Sequence, residues 1–437
     1  METELPREKV AVVKYDGTAN ALKNAVELCG GFDELKTDHK ILLKPNIIWG
    51  GTNKLPPFGV VTTSTMVDHL LQLLCERGCK DITIGEGTIP NKELGSSTFR
   101  GYDWSGIGKV AKRYGARLVD FNLELFEEVQ IEGVKVSISK TALESDFLIN
   151  LPVLKTHRQT RVSLGMKNLK GSLALTSKKR FHKHNLNRLI ALLNTKVKTH
   201  LTIIDGIYAL EGGPESLGRA HRTNLIIAGK DVFSCDIVGS MVMGIEPDEV
   251  EYLKEFAFIQ DRSLSLDSIE VKGESVKNVA HRLEWRLLYE NIFFQAGIKG
   301  ITIQDPGDAC CSGCAAILSA FCGVFCKDNP GVVLDGVEIC MGERVRAKDE
   351  SKKVFLMGDC AISANKDLKD GIKIKGCPPP ILDTVMAIVL KCLPPTRVAK
   401  ILMARSIKNI GMKLGIYDEA FPAFGIYKPP EFNRNHF

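Results

Sequence analysis

The stretch "KILLKPNII" (residues 40–48) decides the fold, because it is a short apolar run that ends in lysine, proline and asparagine. Residues 63–78, "TSTMVDHLLQLLCERG", follow it with apolar residues at helical spacing and a closing glycine. Residues 81–87, "DITIGEG", are a second short apolar run. A strand, a helix and a second strand in this order predict a parallel β-α-β unit.

The same rhythm extends over the first 262 residues. Short apolar runs recur as "KVAVVKY" (9–15), "DFLINLPVL" (146–154), "HLTIIDGI" (200–207) and "TNLIIAG" (223–229). We therefore predict an α/β domain over residues 1–262, with a mostly parallel sheet and helices on both faces. Ligands of such sheets usually bind outside the carboxyl ends of the strands.

A second set of strands begins near residue 299. The runs "GITIQD" (300–305), "GVVLDGVEI" (331–339), "KKVFLMG" (352–358) and "GIKIKG" (371–376) predict a small α/β domain over residues 299–395. Residues 263–298 are predicted to connect the two domains through a short hairpin and a helix. Residues 396–437 are predicted to form a C-terminal tail over the surface.

Composition limits the classes of partner. The chain has 437 residues and a formal net charge of +6, a modest surplus that does not by itself indicate nucleic acid. The charged N-terminus has no apolar signal core, which favours a cytoplasmic location. The longest apolar stretch (381–395) contains Asp383 and Lys391 and is too short to cross a bilayer, so we expect no membrane insertion.

The stretch "DACCSGCAAILSAFCGVFC" (308–326) contains five of the 13 cysteines. In a chain without a secretory signal, cysteines are more typical of metal or redox ligands than of disulfides. Cys311 and Cys314 form a Cys-x-x-Cys pair, and Cys360 and Cys377 each follow a predicted strand. Four soft ligands on strand-end loops suit a [4Fe–4S] cluster. Zinc is the alternative, although its structural sites more often use two Cys-x-x-Cys pairs.

The remaining cysteines are interpreted as structural. Cys322, Cys326 and Cys340 fit small buried side chains, with a second cluster as the alternative. The others are scattered along the chain and are Cys29, Cys75, Cys79, Cys235 and Cys392.

The segments "CSGC", "GDCA" and "GCPPP" resemble, in their order after short strands, the proximal-cluster domain of nickel–iron hydrogenase small subunits and of the small iron–sulfur subunit of respiratory complex I. The resemblance implies a small flavodoxin-like domain and a [4Fe–4S] cluster, without implying hydrogenase activity. It implies four ligands, with Cys310 as a substitute for one of them: Cys311, Cys314, Cys360 and Cys377.

The first domain carries six polar blocks: "LLKPN" (42–46), "GEG" (85–87), "LINLPVLKTH" (148–157), "SLGMKNLKG" (163–171), "IIDGIYALEGGP" (203–214) and "AGKDVFSCDIVGSMVMG" (228–244). Together they resemble a widespread bacterial and archaeal family, domain of unknown function 362. Members of that family are often fused to ferredoxin-like cluster domains. The resemblance implies a fold and a cluster partner rather than a reaction.

Basic residues lie at or just after predicted strand ends, where they can converge on a cleft. Lys155, His157 and Lys167 are predicted to be catalytic, and Lys44 to bind the carboxylate or phosphate of a small anionic substrate. The alternative for each lysine is a solvated surface charge. Asn46, Asn168 and His182 are predicted to bind the same substrate.

The stretch 155–185 is rich in lysine and arginine and has three histidines and no acidic residue. We expect a loop that closes over an anion and is mobile without it, since its charges repel one another. Phe181 is its one aromatic residue for stacking bases, so nucleic acid is not expected.

Three acidic residues complete the predicted site. Asp205 ends an apolar strand and is predicted to orient the catalytic lysines and His157. Glu211 and Asp236 are predicted to contact substrate, with a helix cap as the alternative for Asp236. The chain has no complete Gly-x-Gly-x-x-Gly or P-loop motif, although "GEG" leaves phosphate binding by backbone amides open.

The sequence therefore predicts an iron–sulfur oxidoreductase. Electrons pass from a ferredoxin-like donor through a low-potential [4Fe–4S] cluster to a small anionic substrate or cofactor in a basic cleft. Two alternatives stay open: a non-redox metal-assisted lyase or isomerase, and an electron-transfer or cluster-carrier module. The sequence also leaves open a flavin or second metal and assembly into a homo-oligomer.

Overall fold

The computed structural model describes residues 7–50, 57–90, 95–213, 218–285, 293–304, 310–348, 353–399 and 430–437. The described strands, in chain order, are β1 (Glu8–Lys14), β2 (Ile41–Pro45), β3 (Ile82–Glu86), β4 (Arg117–Asp120), β5 (Phe126–Ile131), β6 (Val134–Ser139), β7 (Phe147–Leu151), β8 (Val153–His157), β9 (Arg161–Ser163), β10 (Leu201–Glu211), β11 (Arg219–Gly229), β12 (Ile269–Gly273), β13 (Lys299–Gln304), β14 (Val333–Met341), β15 (Lys353–Met357) and β16 (Ile372–Ile374).

The helices named below are α1 (Ala19–Leu28), α2 (Ser64–Glu76), α3 (Thr98–Trp104), α4 (Ile107–Tyr114), α5 (Lys140–Glu144), α6 (Gly165–Asn168), α7 (Leu175–Lys183), α8 (Leu186–Leu193), α9 (Val232–Val242), α10 (Glu251–Gln260), α11 (Val276–Val279), α12 (Ser312–Asp328), α13 (Asp359–Ala364) and α14 (Ile381–Cys392). Two of them show how the sequence sets their starts. The side chains of Thr63 and Asp231 accept hydrogen bonds from backbone N–H groups in the first turns of α2 and α9.

The first domain contains a ten-stranded sheet whose main path is β12-β1-β11-β10-β7-β2-β3-β4. From β10 to β4 every neighbouring pair is parallel, and β8 adds a further parallel pairing with β10. β11 is antiparallel to both of its neighbours. The predicted mostly parallel α/β sheet is therefore confirmed.

Apolar side chains of this sheet alternate between two cores, one on each face. Val10 and Val12 of β1 belong to one core, whereas Ala11 and Val13 belong to the other. Successive side chains of a strand point to opposite faces, so runs that are apolar at every position are buried on both sides. This arrangement explains why the strands read as continuous apolar runs.

The predicted connector differs from the structure in its first half. β12 lies within residues 263–298, and it pairs with β1 in parallel as the edge strand of the first sheet. The first domain therefore continues past residue 262. The sequence run around β12 resembles one arm of a hairpin, but the strand finds its partner at the N-terminus of the chain.

The second domain has a four-stranded, fully parallel sheet in the order β13-β14-β15-β16. The four strands are those that the sequence predicted, and the α/β class is confirmed. Their order is consecutive, without the strand-order reversal of a flavodoxin-like sheet. One core includes apolar residues of α12 and α14, and a smaller core includes Ala361 of α13.

The last eight residues return to the first domain. Phe432 and Phe437 pack in an aromatic group with Phe58 and Tyr208, and the Ser64 hydroxyl donates to the His436 carbonyl. The rest of the predicted tail, residues 400–429, lies outside the described residues. Across the described part of the chain, no helix combines the length and apolar character needed to cross a membrane.

Candidate functional site

A buried set of polar side chains lies at the carboxyl ends of β2, β3 and β7. We refer to it as the edge network: Lys44, Asn46, Glu86, Asn150, Lys155 and Asn168. Its centre is an ion pair in which Lys44 Nζ lies 2.6 Å from Glu86 Oε2. Lys44 Nζ also donates to the Pro45 carbonyl and to Asn168 Oδ1. Burial lowers the pKa of Lys44, while Glu86 opposes that shift by favouring the charged ammonium.

Glycines allow this ion pair to fit beneath the backbone. A Cβ on Gly171 would lie within 2.8 Å of Lys44 Cε and would also collide with Glu86 Oε1. A Cβ on Gly87 would lie 2.6 Å from Lys178 Nζ. The Gly87 N–H donates to Glu86 Oε1 at 2.8 Å, so this amide of "GEG" holds the protein's own carboxylate.

Three asparagines link the ion pair to Lys155. Asn168 donates to Asn150 Oδ1 at 2.8 Å, and Asn46 donates to Asn168 Oδ1 at 2.9 Å. Lys155 Nζ donates to Asn46 Oδ1 at 2.7 Å and to the Val60 carbonyl at 3.0 Å. The predicted residues Lys44, Asn46, Lys155 and Asn168 therefore meet in one hydrogen-bonded chain.

A second basic set lies beside the edge network. We refer to it as the junction cluster: His157, Lys167, Lys170 and His182. His157 at the end of β8 is buried, and burial followed by the charges of Lys167 and Lys155 holds its pKa well below the usual range. Its Nδ1 accepts from the backbone N–H groups of Gln159 and Thr160. The neutral ring therefore carries its proton on Nε2, where it can donate.

Lys170 and His182 form the other half of the junction cluster. Lys170 Nζ lies 2.6 Å from His182 Nε2. Burial, and then the charge of Lys178, lower the pKa of Lys170 to about 7. Burial and Lys170 hold the pKa of His182 well below its usual range. Among the described residues, no hydrogen-bond partner reaches the buried Nδ1 of His182, so this side of the ring is available to a ligand.

The basic stretch 155–185 is ordered, contrary to the expected mobile loop. β8 pairs with β9, and α6 and α7 follow. The side chains of Leu164, Met166 and Phe181 are fully buried in the core of the first domain. This apolar burial holds the stretch in place in spite of the repulsion among its charges.

The three predicted acidic residues form their described hydrogen bonds and ion pairs with residues outside the junction cluster. Asp205 accepts from the N–H and the hydroxyl of Thr63 and from the Ile207 N–H. It therefore stabilises the start of α2, whereas the prediction had it orient His157. Glu211 lies 3.0 Å from the imidazole of His221.

Asp236 caps a helix other than its own. Asp231 caps α9, whereas Asp236 in the second turn of α9 accepts from the Gly165 and Met166 N–H groups at the start of α6. The Tyr252 hydroxyl also donates to it, and burial raises its pKa to about 7. Because α6 carries Lys167 and Asn168, Asp236 positions both the junction cluster and the edge network.

The four cysteines of the predicted cluster come together at one edge of the second sheet. Cys311 and Cys314 lie at the start of α12, Cys360 lies in α13 directly after β15, and Cys377 follows β16. The charges of Cys377 and Cys311 contribute to the raised pKa of the Cys360 thiol. The charge of Cys360 contributes in the same way to the raised pKa of the Cys314 thiol. Among the described residues, no three His, Cys, Asp or Glu side chains are already arranged to hold a metal ion.

Cys311 is the thiol most ready to ionise. Hydrogen bonds from the Cys314 thiol and from the backbone N–H groups of Cys314 and Gly313 lower its pKa to about 6, and Lys170 contributes in the same direction. The Cys314 thiol has a raised pKa, because it donates to Cys311 and is buried. Thiolates are the form that binds metals, so this pair favours a metal ligand at Cys311.

The other cysteines of the second domain lie in its cores. Cys310 and Cys322 are fully buried, and Cys310 donates weakly to the Cys311 carbonyl. Cys340 is also fully buried, and Cys326 is half-buried against the larger core. Cys310 lies near these thiols, since its charge contributes to the raised pKa of Cys314.

The junction cluster faces the cysteine edge across the two domains. The charge of Lys170 acts on the Cys311 thiol, and the charges of Lys183 and Lys179 on α7 act on the Cys377 thiol. Pairs of charges interact strongly only when they are close or buried. These basic side chains therefore favour the thiolate forms of Cys311 and Cys377.

Sequence reasoning missed several residues of this site: Glu86, Asn150, Lys170 and Lys178. Glu86 had a signal, because an acidic residue between two glycines at a strand end is unusual. Lys178 donates to the Gly87 carbonyl at 2.6 Å, and burial lowers its pKa to about 8. Nothing in the helical pattern of α7 distinguishes Lys178 from its neighbour Lys179.

The fold and the site together define an α/β protein with a ten-stranded and a four-stranded sheet, in which basic side chains interact electrostatically with a set of thiols. Within it, residues 41–241 match the family described as a domain of unknown function (DUF362), so the predicted resemblance of the first domain is confirmed. A thylakoid-associated protein of Synechocystis sp. is 28% identical over 234 residues, which are 52% of this chain and 70% of that protein.

A solved structure of similar extent is the lactate racemase apoprotein from Thermoanaerobacterium thermosaccharolyticum. The alignment covers 86% of this chain and 85% of that one, at 14% identity and a TM-score of 0.37. Similarity at this level assigns no activity to this chain.

Proposed function

We propose that this chain is an iron–sulfur oxidoreductase in which a ferredoxin-like donor reduces a small anionic substrate bound at the junction cluster. The supporting observation is the position of the junction cluster against four thiols that come from separate strand-end loops. A cytoplasmic location is part of this proposal. Cys377 is exposed, so a ferredoxin-like donor can reach this side of the second domain.

The donor set fits a [4Fe–4S] cluster. Cys311, Cys314, Cys360 and Cys377 supply four sulfur ligands at the ends of parallel strands, and backbone N–H groups already point at the Cys311 sulfur. Hydrogen bonds of this kind stabilise a thiolate ligand. When bound, the cluster supplies one electron at a time.

The junction cluster fits the substrate end. An anionic oxygen can accept from the buried Nδ1 of His182, which has no partner among the described residues, while Lys170 and Lys167 neutralise its charge. His157 belongs to the same cluster, and its neutral ring carries the Nε2 proton that general-acid transfer to the substrate would use. A two-electron reduction oxidises two one-electron ferredoxins and takes up two protons.

The test is anaerobic purification followed by quantification of iron, sulfide and zinc, with electron paramagnetic resonance before and after dithionite. We expect about four irons and four sulfides per chain and a signal that appears on reduction. Stoichiometric zinc without sulfide would refute the cluster. Iron and sulfide that dithionite leaves unchanged would refute the redox part and favour a non-redox role.

Variants assign the ligands. Cys311→Ser and Cys377→Ser are expected to lose or distort the cluster. Cys392→Ser is the matched control, because Cys392 lies in the same domain at the end of α14 and is half-buried. Equal iron content in all three variants would contradict the ligand assignment.

A further inference from the structure

The first domain has a cavity of about 720 Å³ that shares no lining residue with the edge network or the junction cluster. It lies between the end of β1, the first half of β11, the region of α11 and the C-terminal segment. Its size falls within the range of small-molecule sites. Neither the proposed reaction nor the cysteine edge uses it.

The lining of this cavity is strongly basic. Lys14, Arg219 and Arg222 contribute three positive charges, whereas Glu431 is the one acidic side chain among the lining residues. The imidazoles of His221 and His281 face each other with ring centroids 5.8 Å apart. A concave surface lined by charges of one sign concentrates ligands of the opposite sign.

The charge of Arg219 acts on Glu211 and that of Arg222 acts on Asp205, but the closer contacts of the acidic groups near the cavity are with other residues. Glu274 lies 3.4 Å from Lys14 at the surface, and Glu211 pairs with His221. Arg222 contacts neutral groups: its guanidinium lies over the Tyr208 ring and donates to His436 Nδ1.

Arg222 is also held in position. Burial, and then the charge of Arg222, lower the pKa of His436 to about 4, so its neutral ring accepts the hydrogen bond from Arg222 at 3.1 Å. The Tyr208 ring packs against the guanidinium at 4.6 Å. An arginine fixed in this way presents its remaining donors to a planar anionic group at little entropic cost.

Asn224 adds an unsatisfied polar atom to the lining. It adopts a left-handed backbone conformation with φ of 51°, and its buried Oδ1 has no hydrogen-bond partner among the described residues. A buried acceptor without a donor is costly unless a bound molecule supplies one. A ligand hydroxyl would serve that purpose.

We propose that this cavity binds a small hydroxylated polyanion, recognised through phosphate or carboxylate oxygens by Arg219 and Arg222. Glu431 and Phe432 form part of the wall, so the ligand also contacts the C-terminal segment. The site is independent of the cluster and of the proposed reaction.

Isothermal titration calorimetry of the full chain tests the proposal, with pyrophosphate and citrate as probes at physiological salt. Arg219→Ala is expected to weaken binding about tenfold, because it removes a charge-assisted contact. Glu431→Gln is expected to tighten binding about threefold, because it removes the opposing charge. Arg346→Ala and Asp367→Asn change charge by the same amounts at an exposed ion pair in the second domain.

Binding of pyrophosphate alone supports a phosphate ligand, and binding of citrate alone supports a carboxylate ligand. Binding of both probes supports a site that accepts phosphate and carboxylate groups alike. The proposal is overturned if neither probe binds saturably. It is also overturned if the control variants change affinity as much as Arg219→Ala and Glu431→Gln. Loss of the cluster in Cys311→Ser should leave both affinities unchanged, which separates this site from the proposed reaction.

Discussion

Two lysines of the first domain, Lys44 and Lys170, differ in exposure and in their partners, since Lys44 is fully buried and Lys170 is half-buried. Lys44 donates to a carboxylate, a backbone carbonyl and an amide oxygen. Lys170 has an imidazole as its close partner and other cations nearby. Burial lowers the pKa of both, and the shift is opposed by Glu86 at Lys44 and by the Cys311 thiol at Lys170.

The difference separates a structural site from one suited to chemistry. A buried charge with its counterion and hydrogen bonds in place holds strands together and has little left to offer a ligand. Lys170 has the Cys311 thiol rather than a carboxylate to oppose its lowered pKa, so an incoming anion can supply a further counterion. The edge network is of the first kind, and the junction cluster is of the second.

The largest expected effect comes from breaking the Lys44 ion pair. Lys44→Met leaves the Glu86 carboxylate buried without its counterion, so we expect the free energy of unfolding to fall by about 3–5 kcal/mol. Urea unfolding measures this loss. Lys44→Met with Glu86→Gln should recover part of it, since the double variant buries no charge.

Lys170→Met provides the comparison, since it removes a half-buried ammonium and leaves no carboxylate behind. We expect it to cost less than Lys44→Met by at least about 2 kcal/mol. Equal losses for the two lysine variants would mean that the distinction between the two regions is wrong.

A variant of Asp236 tests whether the cap of α6 holds the edge network and the junction cluster in position. Asp236→Ala removes the acceptor of three donors, Gly165 N, Met166 N and the Tyr252 hydroxyl, and should cost about 3 kcal/mol. Thermal and urea unfolding measure the loss, with the exposed Asp248→Ala as control. A loss no larger than that of the control would show that α6 does not depend on this cap.

The same carboxyl gives a pH dependence. Its folded pKa of about 7 lies above the unfolded value of about 3.9, so the folded state binds the proton more tightly. The contribution of Asp236 to stability is therefore complete below pH 4 and falls as the pH rises to 7. The difference in unfolding free energy between wild type and Asp236→Asn should shrink from pH 5 to pH 8, and a constant difference would contradict the burial argument.

A smaller effect is expected at Thr63, whose hydroxyl donates to Asp205 and caps α2. Thr63→Ala should cost about 1 kcal/mol, because the helix loses its cap while the Thr63 N–H still reaches Asp205. Thr63→Ser keeps the hydroxyl and should restore most of the stability. A failure of serine to do so would point to packing of the methyl group as the cause.

The smallest expected effect is a shift in the reduction potential of the proposed cluster. Removing the Lys170 charge should lower the reduction potential of the cluster by on the order of tens of millivolts, because a nearby cation stabilises added negative charge. Redox titration followed by electron paramagnetic resonance measures the shift. Lys44→Met should shift the potential less, because Lys44 is paired with Glu86. Equal shifts would place the two lysines at the same distance from the thiols.

Much of the fold could be predicted from short-range patterns. The runs around β2, β3 and β13–β16 were found because apolar, β-branched stretches with polar ends repeat locally. The sequence could not show that β12 pairs with β1, since that pairing joins segments about 260 residues apart. It also predicted a mobile loop for residues 155–185, because a count of charges does not reveal that Phe181 and Leu164 are buried.

For the site, residue type and strand-end position were enough to find Lys44, Lys155, His157 and the cysteines. They were not enough to assign roles. Asp205 looked like an orienting carboxylate, yet its oxygens are used by Thr63 and Ile207. Lys170 had no distinguishing pattern in the sequence and became notable only beside His182.

The sequence by itself determined the α/β class, the two sets of strands and the four cysteines at strand ends, because these depend on periodicity and spacing within short segments. Only the tertiary structure decided which lysine pairs with a carboxylate and which lies against an imidazole and a thiol. Lys44 meets a carboxylate 42 residues away, whereas Lys170 meets an imidazole and faces a thiol of the other domain. Charge and pKa depend on such distant neighbours and on burial, and neither can be derived from the local pattern.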